Sequence, residues 1–216
     1  MPSQARILAK EKMLPEIKRL LDSHAELRKG SKGPDPHNTI LKSSVVFLCA
    51  AWEYYCENLA LEAAKKIADA TFDPMDLPDA IRWQLNLSVH HAEVGKANSI
   101  KLAGNGWKEV YVDLVCQFCD QLNTPKAKPL NELFKKCLGI RDISGNWTVG
   151  HGDIDKFVTL RGDIAHKGSD ADRVNREQAA HFLTIVGKTI SDTDDAVYDY
   201  LRSSKMLGKA PWRRSK

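Results

Sequence analysis

The chain has 216 residues, 43% hydrophobic and 28% charged, with a formal net charge of +4 at pH 7. That balance suits one globular domain spanning 1–216 with a genuine core, and it excludes a disordered polyelectrolyte or a polybasic DNA-coating protein. An anionic partner such as RNA is tolerated without being demanded.

The chain opens on an amphipathic stretch. Ser3 can cap a first helix running to about Lys29, with Met13, Ile17, Leu20 and Leu21 at helical spacing. Residues 29–36, KGSKGPDP, form a loop by their glycine and proline content. Asn38 can cap a second helix over 38–70. Its centre, VVFLCAAWEYYCENLALEAA, is apolar nearly all round, which predicts a place in the middle of a bundle. FDPMDLP breaks that helix, and Asp79 starts a third, to about Glu93. A fourth covers roughly 106–122, with Val110, Leu114 and Cys116 to Leu122 in its expected buried set. A short helix over 129–138 stops at Gly139, and 140–152 reads as irregular. Asp153 can cap the next helix, which carries TLRGDIAHKG. A last helix covers about 173–202, and its SDTDDAVYD run reads as a solvated acidic face. Residues 209–216, including Trp212, Arg213 and Arg214, read as a loose basic tail. No strand alternation appears, so the expectation is an all-α bundle of six to seven helices.

Five cysteines, an odd count, lie in apolar helix-like stretches. A disulfide framework is not expected, and the chain reads as cytoplasmic. No apolar run approaches the ~18 residues of a membrane span, and no signal-peptide pattern opens the chain. There is no P-loop and no GxSxG elbow. Cys116 and Cys119 have a ligand-like gap but no second pair, and they read as core cysteines. His90 and His91 are adjacent, so they point about 100° apart on a helix rather than toward one metal.

Arg161 and His166 stand out. On a helix from Asp153, Ile154, Phe157, Val158, Ile164 and Ala165 share one arc, and Arg161 falls near its centre. An arginine there needs a partner, a cleft or a subunit interface. His166 points about 140° away and roughly 7.5 Å further along, so one ideal helix does not bring the two together. Either the helix ends near His166 or a second copy completes the site. Lys167–Gly168 supports an ending, and a helix C-terminus favours imidazolium. Asp163, three residues before His166, would favour it further. The same spacing occurs as Arg19…His24 and Arg176…His181, so spacing alone has little specificity. Glu53 is a carboxylate within an apolar stretch. It either pairs with Arg161 or forms a structural ion pair with another helix.

LRGDIAHKG resembles the signature of HEPN domains, in which an arginine and a histidine four to six residues later lie within a helical bundle. AAWEYYCENLALEAAKKI and NTPKAKPLNELFKKCLGIRDISGNW, in that order, resemble the RiboL-PSP-like HEPN group over roughly residues 38–190. The resemblance implies a metal-independent endoribonuclease with no cofactor, acting on RNA as a homodimer paired through its motif helices. Such domains often work beside an antitoxin or a phage-defence protein. Carried over, the catalytic residues are Arg161 and His166, with Asp163, Glu53 and Lys167 as supporting residues. Two positions depart from the pattern. Gly162 stands where many active members have a polar residue, and Gly168 stands where a nucleotide-modified group has tyrosine. A non-catalytic RNA- or protein-binding HEPN module is the alternative that Gly162 favours.

Overall fold

A computed structural model describes residues 1–30, 32–90, 99–203, 207 and 210–213. Among them there is no strand. Helices α1 (Gln4–Leu8) and α2 (Leu14–Arg28) are joined by a π-turn over Ala9–Met13 into one rod. The others are α3 (Asn38–Ala70), α4 (Asp79–His90), α5 (Gly106–Asp120), α6 (Ala127–Leu138), α7 (His151–Lys167) and α8 (Arg176–Ser203). No helix of the described residues is long and apolar enough to cross a membrane.

Helix α3 is the axis of the bundle. Its 33 residues pack against α1, α2, α5, α6, α7 and α8, which requires apolar side chains on most of its circumference. Leu41, Val45, Leu48, Trp52, Tyr55, Leu59 and Ile67 are buried. The polar tips of the two buried aromatics of α3, Trp52 and Tyr55, are both satisfied, as burial demands. Trp52 donates its indole N–H to the Pro125 carbonyl at 2.9 Å, and Tyr55 donates its hydroxyl to the Ile190 carbonyl at 2.8 Å. Trp147 meets Trp52 edge-on at 5.8 Å and donates to Thr193 Oγ1 at 2.9 Å. These bonds tie α3 to α8 and to the segment that leads into α7.

That segment is irregular but well held. Asn131 Oδ1 accepts from the backbone of Ile143 and Ser144 at 2.9 and 3.0 Å, and Asp142 Oδ1 accepts from Gly145 N at 2.9 Å. The Gly145 and Ser144 bonds hold the Asp142 carboxyl below its ordinary pKa. A residue at the end of α6 is equally constrained. Gly139 caps the helix at φ 84°, and a Cβ there would lie 2.8 Å from both Pro78 Cβ and Tyr200 Oη. Gly139→Ala adds left-handed backbone strain to that overlap, so it is expected to cost about 2–4 kcal/mol of unfolding free energy. A urea midpoint equal to wild type would contradict this.

Several sequence expectations need correction. The acidic run of α8 is not a solvated face. Asp194 is fully buried and accepts from Ser3 Oγ, with Arg6 Nη1 at 3.6 Å; Asp195 also pairs with Arg6, at 3.2 Å, and Asp192 accepts from Thr148 N at 2.8 Å. Helix α5 buries Trp107, Tyr111 and Val115, one residue on from the expected Val110 and Leu114, while Cys119 and Leu122 of the expected set are buried. Asp153 lies in the first turn of α7, whose cap is Gly150. Asn175 caps α8 instead of a start near 173, accepting from Gln178 N at 2.7 Å. The tail is docked where it is described: Trp212 is 9% exposed and packs on Tyr198, and Arg213 N donates to the Met1 carbonyl at 2.8 Å. Arg214, His91 and the side chain of His90 lie outside the described residues.

Candidate functional site

Helix α7 lies on α3 through Ile154, Phe157, Val158 and Ile164, all buried. Ala165, expected on that arc, is exposed. The buried arc of α7 ends at Ile164, and the last three residues of the helix are exposed. Arg161 sits at the rim of this contact, with its side chain 28% exposed. Its Nη2 donates to Glu53 Oε2 at 3.3 Å. Of the two partners the sequence left open for Glu53, the structure selects Arg161. Burial raises the pKa of Glu53, and the guanidinium pulls it back. Cys49, one turn before Glu53, is buried beside the same guanidinium. Burial pushes its thiol up to about 11, so it is a neutral packing group at neutral pH.

Glu57 lies one turn beyond Glu53. Burial lifts its pKa from 4.5 to about 7, with Glu53 and Asp120 adding like charge. The sign of the consequence is fixed. Below about 4.5 the group is neutral in both folded and unfolded chains. Between 4.5 and 7 only the unfolded chain loses the proton, so stability falls as pH rises. Glu57→Gln is therefore expected to gain about 1–2 kcal/mol at pH 8, after allowance for partial exposure, and nothing near pH 4. Urea midpoints at the two pH values check it.

His166 occupies the last turn of α7 and is exposed. The helix does not end before it but runs on to Lys167, and Gly168 follows at φ 55°. Helical geometry therefore keeps Arg161 and His166 about 140° apart. The remaining supporting residues do not gather on His166. Asp163 Oδ1 lies 3.1 Å from Lys167 Nζ, an i,i+4 pair, so Asp163 serves Lys167 rather than the imidazole. Nothing lies within 4 Å of a Cβ built on the half-buried Gly162. A polar side chain at that position has room, so its absence is not imposed by packing.

Of the other two Arg-x-x-x-x-His pairs, Arg176 and His181 are exposed on α8, and Arg19 and His24 lie in separate settings on α2. His24 is buried and meets Asp35 Oδ2 at 2.8 Å, while Arg19 is exposed on a different face with Glu16. Cys119 is buried with its thiol on the Glu57 carbonyl, and among the described residues no three His, Cys, Asp or Glu side chains are grouped to hold a metal ion.

Two features of the site have no linear signal. Lys42, near the start of α3, donates to the carbonyls of Gly168, Ser169 and Ala171 at 3.1, 3.2 and 2.7 Å. It thereby pins the turn that follows α7, just after His166, by bonding carbonyls of residues beyond the helix. And α3, read as apolar all round, leaves Phe47 59% and Tyr54 45% exposed, with Ala50 exposed between them. These three share one stripe at i, i+3, i+7, running past the Arg161–Glu53 pair.

A strandless bundle around one long helix, with an arginine and a histidine five residues apart on a neighbouring helix, is the arrangement of a HEPN domain. The sequence model of the RiboL-PSP-HEPN family matches residues 12–199, and the chain belongs to that family. No curated protein and no solved structure matches it.

Proposed function

We propose that the protein is a metal-independent endoribonuclease whose site is completed by a second copy of the chain. The observation that carries this reading is the disposition of the pair. Arg161 is oriented by Glu53 at the rim of α7, His166 is exposed on the last turn, and neither is sealed from solvent. One straight helix keeps them on different faces, and a twofold through α7 would set the arginine of each copy against the histidine of the other. The exposed Ala50 and Tyr54 beside Arg161 supply apolar surface for that contact.

The chemistry follows from the groups. A histidine takes the proton of a ribose 2′-OH, which attacks the adjacent phosphorus. Arg161 holds the non-bridging oxygens and stabilises the charge that builds on them. A histidine returns a proton to the departing 5′-oxygen, leaving a 2′,3′-cyclic phosphate and a 5′-hydroxyl. Glu53 fixes the guanidinium without touching substrate, so it is a positioning residue.

Incubation with RNA in EDTA tests the reading. Wild type is expected to produce cyclic-phosphate ends, and Arg161→Ala and His166→Ala are expected to lose that activity. RNA that is bound but left intact by wild type selects the second reading, a non-catalytic RNA-binding HEPN module, which Gly162 favours. A chain that neither cuts nor binds RNA rejects both. A further partner, an antitoxin or defence protein, is proposed from the family likeness, and a cytoplasmic setting from the five free cysteines.

A further inference from the structure

A groove of about 680 Å³ runs between the start of α3 and the end of α7, immediately beside the turn that carries His166. Its walls are of mixed character. Phe47 and Val46 from α3 and Ile164 from α7 are its apolar lining; Asn38, Lys42 and Arg173 are its polar and cationic lining. Phe47 is 59% exposed although it lies on the most buried helix of the molecule. Arg173 is exposed on the segment between α7 and α8. The one carboxylate of the lining, Asp35, is already engaged: its Oδ2 meets His24 Nε2 at 2.8 Å and its Oδ1 lies 3.8 Å from Arg28 Nε. The groove therefore carries surplus positive charge against an exposed aromatic ring.

We propose that this groove is the subsite for an unpaired nucleotide of the RNA, flanking the bond presented to His166, with Phe47 as the stacking platform and Arg173 as the phosphate contact. The proposal rests on the reading of the protein as an RNA-acting HEPN domain. An exposed ring and a cation lining one groove match a base face and its phosphate, which are the two parts of a nucleotide that require no sequence readout. A duplex keeps its base faces stacked and offers none to Phe47, so the substrate class is single-stranded RNA or a loop. Lys42 has a different task. Its ammonium is committed to the carbonyls of Gly168, Ser169 and Ala171, so it builds the floor of the groove and holds the turn after His166. Ile164, two residues before His166, links the groove to the motif helix directly.

Fluorescence anisotropy of a labelled 12-nucleotide oligouridylate, in EDTA, on the His166→Ala background separates binding from cleavage. Adding Phe47→Ala is expected to weaken binding roughly 5- to 100-fold, the range of one stacked base, and Phe47→Trp to restore it. Adding Arg173→Ala is expected to flatten the dependence of log K on log salt by about 0.7, the loss of one phosphate contact on a single strand. Binding by His166→Ala that neither substitution alters overturns the groove while leaving the catalytic reading intact. Loss of binding on Phe47→Ala that Phe47→Trp does not restore, or that accompanies dissociation of the protein by light scattering, assigns Phe47 to packing against a second copy and overturns the proposal. No binding by His166→Ala overturns it as well, and the cleavage assay on wild type then decides the catalytic reading by itself.

Discussion

Co-assembly of Arg161→Ala chains with His166→Ala chains is expected to restore about a quarter of the wild-type cleavage rate, with each variant alone expected to be inactive. The fraction follows from counting. Random pairing makes about half of the dimers mixed. Each mixed dimer has one cleft with both an intact arginine and an intact histidine, and one with neither. Each single substitution is expected to lower cleavage about 10²- to 10⁴-fold, the range for removing a general base or an electrostatic stabiliser of the transition state. The physical basis is the straightness of α7. It runs through His166 to Lys167, so no local unwinding turns the imidazole toward Arg161. A co-assembled sample that stays inactive while native mass spectrometry detects mixed dimers rejects a cleft built from one arginine and one partner histidine. Glu53→Gln provides the companion control. It keeps a hydrogen-bond acceptor for Arg161 but removes the charge, so it is expected to reduce cleavage less than Arg161→Ala does.

Asp194→Ala is expected to destabilise the fold by about 3–5 kcal/mol, the largest stability effect of a side chain outside the apolar core. Asp194 is fully buried and joins the first turn of the chain to the middle of α8. Ser3 Oγ plays two parts there: it accepts from Arg6 N at 3.0 Å, capping α1, and it donates to Asp194. Removing the carboxylate leaves the Arg6 side chain, 11% exposed, with Asp195 as its remaining acid. Burial outweighs the Ser3 and Arg6 contacts and raises the pKa of Asp194. A raised carboxyl pKa means that the folded chain holds its proton longer, so this group favours the folded state most below its ordinary pKa and less as pH rises through the folded value. Asp194→Asn keeps the acceptor for Ser3 without a buried charge and is expected to cost clearly less than Asp194→Ala. Urea denaturation of the two variants at pH 7 measures the difference. Equal losses would show that charge pairing with Arg6, rather than the hydrogen bond from Ser3, holds the N-terminal turn.

Local chemistry made much of the fold legible. Helix α3 was expected over 38–70, and it spans Asn38–Ala70, because an apolar run between a glycine–proline loop and the FDP break has no other regular option. Gly139 ends α6 in the left-handed conformation that a glycine at a helix end signals. The Arg161–His166 helix, and the geometric gap between the two residues, followed from 100° per residue alone. Composition cannot tell a solvated charge from a paired one. SDTDDAVYD therefore reads as surface until Ser3 and Arg6, about 190 positions earlier, are seen against it. The docking of Trp212 was hidden for the same reason, since its ring partner and its backbone anchor lie on other segments.

What the sequence determined by itself is the class of fold and the central helix, because helical periodicity and end signals act over a few residues. What only the tertiary structure decided is how the candidate site residues are held. Glu53 reaches Arg161 across 108 positions, and Lys42 reaches the carbonyls after His166 across 126 to 129. Phe47 is exposed because no neighbouring helix covers that part of α3. Contacts of that range depend on the packing of whole helices, which no short stretch of sequence encodes.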